Sequence, residues 1–201
     1  MSTVDETESQ HSVGEFAPCE VPAEVVTLFA VSSASAVRGA LGTVYFSWAP
    51  WAPSPLIVLD WDVKDISAAL PTYLDRTFER LAQLQKAHRV VTDSEEISLY
   101  AETKGLGRVV LLEAQKGGYN VREVSDAITE LDLDERATQA LVLAHAGQVK
   151  LSRPAFEKTL NFRGTAANHL RRQIAQYSNE QRADSAELLN AWCTGVLQAL
   201  T

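Results

Sequence analysis

LYAETKGLG, residues 99–107, followed at once by RVVLLEAQK, is the stretch from which the rest of the chain is read. Ser98, Leu99, Tyr100 and Ala101 run as the end of a buried strand into Glu102, and Gly105 and Gly107 supply the backbone freedom of a sharp strand-to-helix corner. A carboxylate at the C-terminal end of a strand stands at the mouth of an α/β sheet, where ligands usually bind. A single glutamate is more often a solvated loop acid. The segments downstream favour the first reading.

The 201 residues are enough for one good core and sit at the upper end of a single-domain size. A hydrophobic share of 46% with 22% charged residues is ordinary for a globular protein, and a formal net charge of -8 argues against a surface built wholly to wrap nucleic acid. Cys19 and Cys193 lack metal-type spacing, which predicts reduced thiols and a cytoplasmic protein. His11, His88, His145 and His169 also lack ligand spacing. No apolar stretch predicts a membrane span or a secretory leader.

Residues 1–20 are polar and acidic and read as a flexible tail, leaving 21–201 as one domain. Glu24 to Val31, Gly42 to Trp48 and Leu56 to Val63 have the β-branched, apolar character of strands and predict an antiparallel meander. Between the first two, Ser32 to Leu41 reads as a small-residue turn. The proline-rich WAPWAPSP after the second is a loop, and its Trp48 and Trp51 either pack on the sheet or form a patch for a partner. Leu70 to Ala87 is an amphipathic helix with Leu70, Leu74, Phe78, Leu81 and Leu84 on one face. Leu106 to Lys116 is a second helix closed by Gly117 and Gly118, and Tyr119 to Val124 a short strand.

Asp134 is placed to cap a helix that Gly147 ends, and Gln148 to Leu151 reads as a further strand. Pro154 to Tyr177 reads as helix broken near Gly164, and Asp184 to Leu200 as an amphipathic closing helix. Lys150, Arg153, Lys158, Arg163, His169, Arg171 and Arg172 make this the most basic stretch of an acidic chain. The fold class is therefore α/β: a mixed sheet, with a three-strand antiparallel meander plus parallel strands, flanked by helices.

That element order resembles the ribonuclease H-like superfamily. More specifically, AETKGLGRVVLLEAQ is similar to the second acidic motif of phage terminase large-subunit nuclease domains. DERATQALVLAHAGQVKLSRP resembles that family's next block, and ADSAELLNAW its closing motif. The resemblance implies phosphodiester cleavage by two divalent ions held about 3.5–4 Å apart by oxygen ligands. It implies Glu102 and Asp184 as catalytic acids, with Glu187 completing the metal site and Mg²⁺ or Mn²⁺ as the ions. Asp184 and Glu187, at i and i+3, share one helix flank, and the helix N-terminal amides favour a phosphate.

The family carries an aspartate on its first strand, and the matching position here is Ser32. Asp60 and Asp62, on one face of a neighbouring strand, are candidates to compensate as metal ligands, or are simply exposed acids beside a turn. Lys150, Arg153, Arg163, Arg171 and Arg172 are the candidate contacts to double-stranded DNA. No G-x-x-x-x-G-K-[ST] run occurs, so a separate packaging ATPase and a portal are the implied partners.

Two functions follow from the resemblance. One is a metal-dependent endonuclease that cuts concatemeric viral DNA during genome packaging in the host cytoplasm. The other is a catalytically inactive ribonuclease H-like module that binds the motor, the portal or DNA. An unrelated α/β protein with decorative surface acids is the third possibility.

Overall fold

The computed structural model describes residues 18–35, 39–65, 70–91, 97–178 and 186–201. Its strands and helices, in chain order, begin with β1 (Glu24–Val25), β2 (Thr27–Ser35), β3 (Ala40–Trp48) and β4 (Leu56–Asp65). The first helix, α1 (Leu70–Ala87), leads through β5 (Arg89–Val90) to β6 (Ser98–Ala101) and α2 (Gly105–Lys116). Then come β7 (Val121–Glu123), α3 (Asp126–Thr129), α4 (Leu133–His145), β8 (Val149–Leu151) and α5 (Arg153–Glu157). The chain closes with β9 (Leu160–Phe162), β10 (Thr165–Ala167), α6 (His169–Ser178) and α7 (Glu187–Leu200).

Six strands form the main sheet in the order β7-β6-β2-β3-β4-β8. β3 runs antiparallel to both neighbours, whereas β6 is parallel to β2, β7 to β6 and β8 to β4. The antiparallel meander, the return of the chain beside β2 and the parallel strands at both edges make the mixed sheet that the sequence predicts. Apolar side chains alternate along β2 to β4 and fill both faces. One face buries Phe29, Val31, Val44, Phe46 and Trp61 against α7, with Leu188, Trp192 and Val196. The other buries Leu28, Ala30, Tyr45 and Leu99 against α1 and α2, through Leu74, Leu81, Val110 and Ala114.

Close approach explains two glycines. A Cβ on Gly42 would lie 2.9 Å from the backbone of Glu187 and Leu188, and one on Gly195 would overlap the Phe46 ring. The last helix therefore lies directly on β3, with bare backbone where side chains would hold it away.

Several boundaries differ from the sequence reading. Ser32, Ser33 and Ala34 continue β2 instead of turning, because they pair with Thr43, Gly42 and Leu41 across the hairpin. The cap of α4 is Asp132, not Asp134: its side chain accepts from the Glu135 amide at 2.8 Å, and Glu135 answers with a bond to the Asp132 amide at 2.9 Å. The stretch 154–177 is not one broken helix. Arg163 and Gly164 both take positive φ, 50° and 78°, and form the tight turn of the β9–β10 hairpin. Asn168 then fixes α5 by donating to the carbonyls of Ala155 and Phe156, both at 2.9 Å. Most of the expected tail, residues 1–17, lies outside the described residues.

Candidate functional site

Glu102 follows β6 directly, at the C-terminal end of the parallel strands. Gly105 takes φ +58° to turn the chain, and a Cβ on Gly107 would overlap the Glu102 carbonyl. The first turn of α2 thus packs down on the backbone of Glu102 and fixes where its carboxylate emerges.

That carboxylate meets side chains from two other elements, α4 and α7. Arg136 of α4 donates from Nη1 to Glu102 Oε1 at 2.6 Å, and the same nitrogen reaches Asn190 Oδ1 at 3.0 Å and Thr194 Oγ1 at 3.1 Å. Its Nε donates to the Leu131 carbonyl at 3.1 Å. Asn190 of α7 donates from Nδ2 to Ser33 Oγ at 2.7 Å and to Glu102 Oε1 at 3.1 Å. The ion pair is sheltered, its side chains 9% and 22% exposed for Arg136 and Glu102. One acid and one base leave the cluster neutral; charge-assisted hydrogen bonds tie the end of β6 to α4 and α7, and a neutral one from Asn190 adds β2.

Ser32, the residue matched to the family's first aspartate, faces the opposite side of β2. It hydrogen-bonds Thr43 at 3.2 Å and the Tyr73 hydroxyl of α1, which also bonds Thr43. Burial pushes the Tyr73 phenol up, and the hydroxyls of Ser32 and Thr43 partly offset it. The serine turned toward Glu102 is Ser33, one residue on.

Glu187 opens α7 and is 2% exposed. Gln173 donates from Nε2 to its Oε1 at 3.2 Å, and Gln173 Oε1 accepts from the backbone amides of Leu188 and Leu189 at 2.9 and 3.0 Å. Glu187 Oε2 is buried with no hydrogen-bond partner. Glu102 and Glu187 share no hydrogen-bond partner among the described residues. Asp184 lies outside those residues.

Asp60 and Asp62 are on β4, and each is already paired. Asp60 binds Arg80 Nε at 2.6 Å and Lys158 Nζ at 2.7 Å, and Asp62 binds Lys64 at 2.7 Å. The candidate DNA contacts are spread over the C-terminal half. Arg153 faces Glu20 and Glu157 at 3.6 and 3.7 Å, Arg163 pairs with Asp65, and Arg171 stacks on Phe156 at 3.8 Å. Lys150 is half-buried on β8, and Arg172 is exposed on α6. Trp51 stands 58% exposed, whereas Trp48 packs against the core. Cys193 is wholly buried, and burial pushes its thiol far up, so it is no nucleophile.

Arg136, Asn190, Thr194 and Ser33 were missed by sequence reasoning. A signal existed for the first three. Arg136 precedes Ala140 and Ala144 at i+4 and i+8, both buried, so the alanine stripe of α4 places the arginine on its inward face. Asn190 and Thr194 continue the same stripe of α7 from Glu187.

Among the described residues, Glu102 stands beside a cation and not beside a second carboxylate. Its Oε1 accepts from both a guanidinium and an amide. Among the described residues, no group of three or more His, Cys, Asp or Glu side chains could hold a metal. No helix among them is long and apolar enough to cross a membrane.

No protein-family model matches the chain, and no curated protein matches it in sequence. Among solved structures it is similar to the large terminase nuclease from thermophilic phage G20c with bound zinc. Identity is 13% and the TM-score 0.47, over 91% of this chain and 92% of that one. The same nuclease with bound magnesium gives 11% identity and a TM-score of 0.47 over the same shares. The large terminase nuclease domain from bacteriophage SPP1 with bound manganese gives 12% identity and 0.45, over 84% of each chain. In fold, the chain is similar to the nuclease domains of large terminases.

Proposed function

We propose that this chain is a ribonuclease H-like module of the terminase type in which the site at Glu102 serves structure and binding instead of hydrolysis. The observation that carries this reading is the guanidinium of Arg136, 2.6 Å from Glu102 Oε1. A divalent ion there would bind at roughly 2.0–2.6 Å from the oxygen and would have to displace a sheltered cation bonded to four groups. Asn190 and Ser33 supply amide and hydroxyl groups, which neutralise no metal charge. On this reading the chain acts in genome packaging in the host cytoplasm by binding a separate ATPase motor, the portal or double-stranded DNA.

A second reading, the metal-dependent endonuclease, draws on Glu187. Its buried Oε2 has no partner, and Asp184 precedes it by three residues in the sequence. Mg²⁺ or Mn²⁺ would be the ion. The similar structures include nucleases with magnesium and manganese bound.

Incubating supercoiled plasmid with the protein and Mn²⁺ or Mg²⁺ separates the two. The binding module leaves the plasmid intact, with Glu102→Ala and Glu187→Gln indistinguishable from wild type. Nicking that disappears in either variant, or in Asp184→Ala, would establish the nuclease and overturn the first reading.

A further inference from the structure

Between α1 and β4, on the face away from Glu102, a polar cavity of about 280 Å³ is lined by Asp60, Asp62, Lys64, Arg76, Arg80 and Lys158. Four cations face two carboxylates, a local positive surplus in a protein of net charge -8. Both acids are engaged by cations, Asp60 by Arg80 and Lys158 and Asp62 by Lys64. The carboxylates that sequence reasoning offered as metal ligands thus hold basic side chains in position.

The array is ordered before any ligand arrives. Lys158 is fixed from three sides, by Asp60, by the Trp61 carbonyl and by the Trp61 ring 5.0 Å away. Arg80 is held by Asp60 and by Gln83 Oε1 at 3.1 Å. A guanidinium has five N–H donors, so Arg80 keeps some free for a ligand after these bonds. Arg76 is exposed at the rim and makes no hydrogen bond or ion pair among the described residues. Preorganised arginines with an unengaged neighbour suit a compact, multiply charged oxyanion better than a lone carboxylate, because a phosphate offers several oxygens to forked donors.

We propose that this groove is a phosphate-binding site, taking either the backbone of a single-stranded nucleic acid or the phosphates of a small molecule. The site is separate from Glu102 and holds whichever reading of that residue is right.

The test titrates ¹⁵N-labelled full-length protein with inorganic pyrophosphate and, separately, with a short oligothymidylate lacking terminal phosphates. Arginine Nε–H signals report the contact. The signals of Arg76 and Arg80 move with at least one probe, and Arg76→Glu weakens that binding by at least about tenfold, while Lys116→Glu on α2 leaves it unchanged. Response to pyrophosphate alone assigns a small phosphorylated ligand. Response to the oligonucleotide, with a log–log salt slope that falls by about one in Arg76→Gln, assigns the backbone. The proposal is overturned if neither probe moves these signals, or if Arg76→Glu binds as well as wild type.

Discussion

Glu102, just past β6, and Asp60, on β4, meet helices on opposite sides of one sheet, and each is bound by a basic side chain at 2.6 Å. Glu102 meets Arg136 among α4 and α7, where the arginine is 9% exposed and also bonds the Leu131 carbonyl, Asn190 and Thr194. Asp60 meets Arg80 and Lys158 against α1, where those cations are 39% and 27% exposed. The chemistry is the same and the consequence is opposite. In a setting where the cation itself is buried the pair is a pin: removing Arg136 leaves Glu102, Asn190 and Thr194 without the group that joins them. At an open edge the acid only positions its cations, and their surplus charge faces solvent.

The largest effect should come from breaking the pin. Arg136→Met is expected to lower stability by about 3 kcal/mol, roughly 6–12 °C in melting temperature, read by calorimetry. Adding Glu102→Leu to it should recover most of that loss, because the unpaired carboxylate goes too. If the double variant is as unstable as the sum of the singles, the pin is not what holds these elements together.

Gly42→Val, next in size, sharpens the comparison on the α7 side. Its Cβ would press on the backbone of Glu187 from 2.9 Å, at a cost of about 1–3 kcal/mol by denaturant unfolding. At the second pair, Arg80→Gln should cost no more than about 1 kcal/mol, since Lys158 still pairs with the Asp60 carboxylate at 2.7 Å and the lost arginine is itself 39% exposed. A loss as large as that of Arg136→Met would erase the distinction drawn here.

The smallest effect is a titration. His88 lies below its ordinary value of 6.5, chiefly through burial and secondarily through the charge of Arg80. Its folded pKa is below the unfolded one, so the folded protein binds fewer protons and this group's contribution to stability declines as pH falls through 6.5 and below. Arg80→Gln should move the His88 titration upward by NMR without bringing it fully to 6.5, because burial persists. No movement would mean that the groove's charge does not reach His88.

These two regions also mark how far the residues alone could be read. The meander, α1 and the corner at Glu102 were legible, because period-two apolar strands, a helical apolar face and paired glycines are local signals. The β9–β10 hairpin was not. Its turn is the unremarkable pair Arg163–Gly164, and the segment is held by Asn168 and His169 reaching carbonyls elsewhere. Glu102 could be singled out from its place at a strand end. Its partner could not, because an arginine in a charged helix start is by default solvated, and only the packing of α4 on α7 turns Arg136 inward. Likewise the spacing of Asp60 and Asp62 placed them on one face but gave no sign of Arg80 and Lys158 beside the first or Lys64 beside the second.

The account rests on Arg136 holding the place beside Glu102 that a metal ion would take. Calorimetric titration of the full chain with Mn²⁺ tests this most directly. The account predicts no tight binding that depends on Glu102, so wild type and Glu102→Gln give the same isotherm. Two tight sites in the wild type that vanish in Glu102→Gln would contradict it.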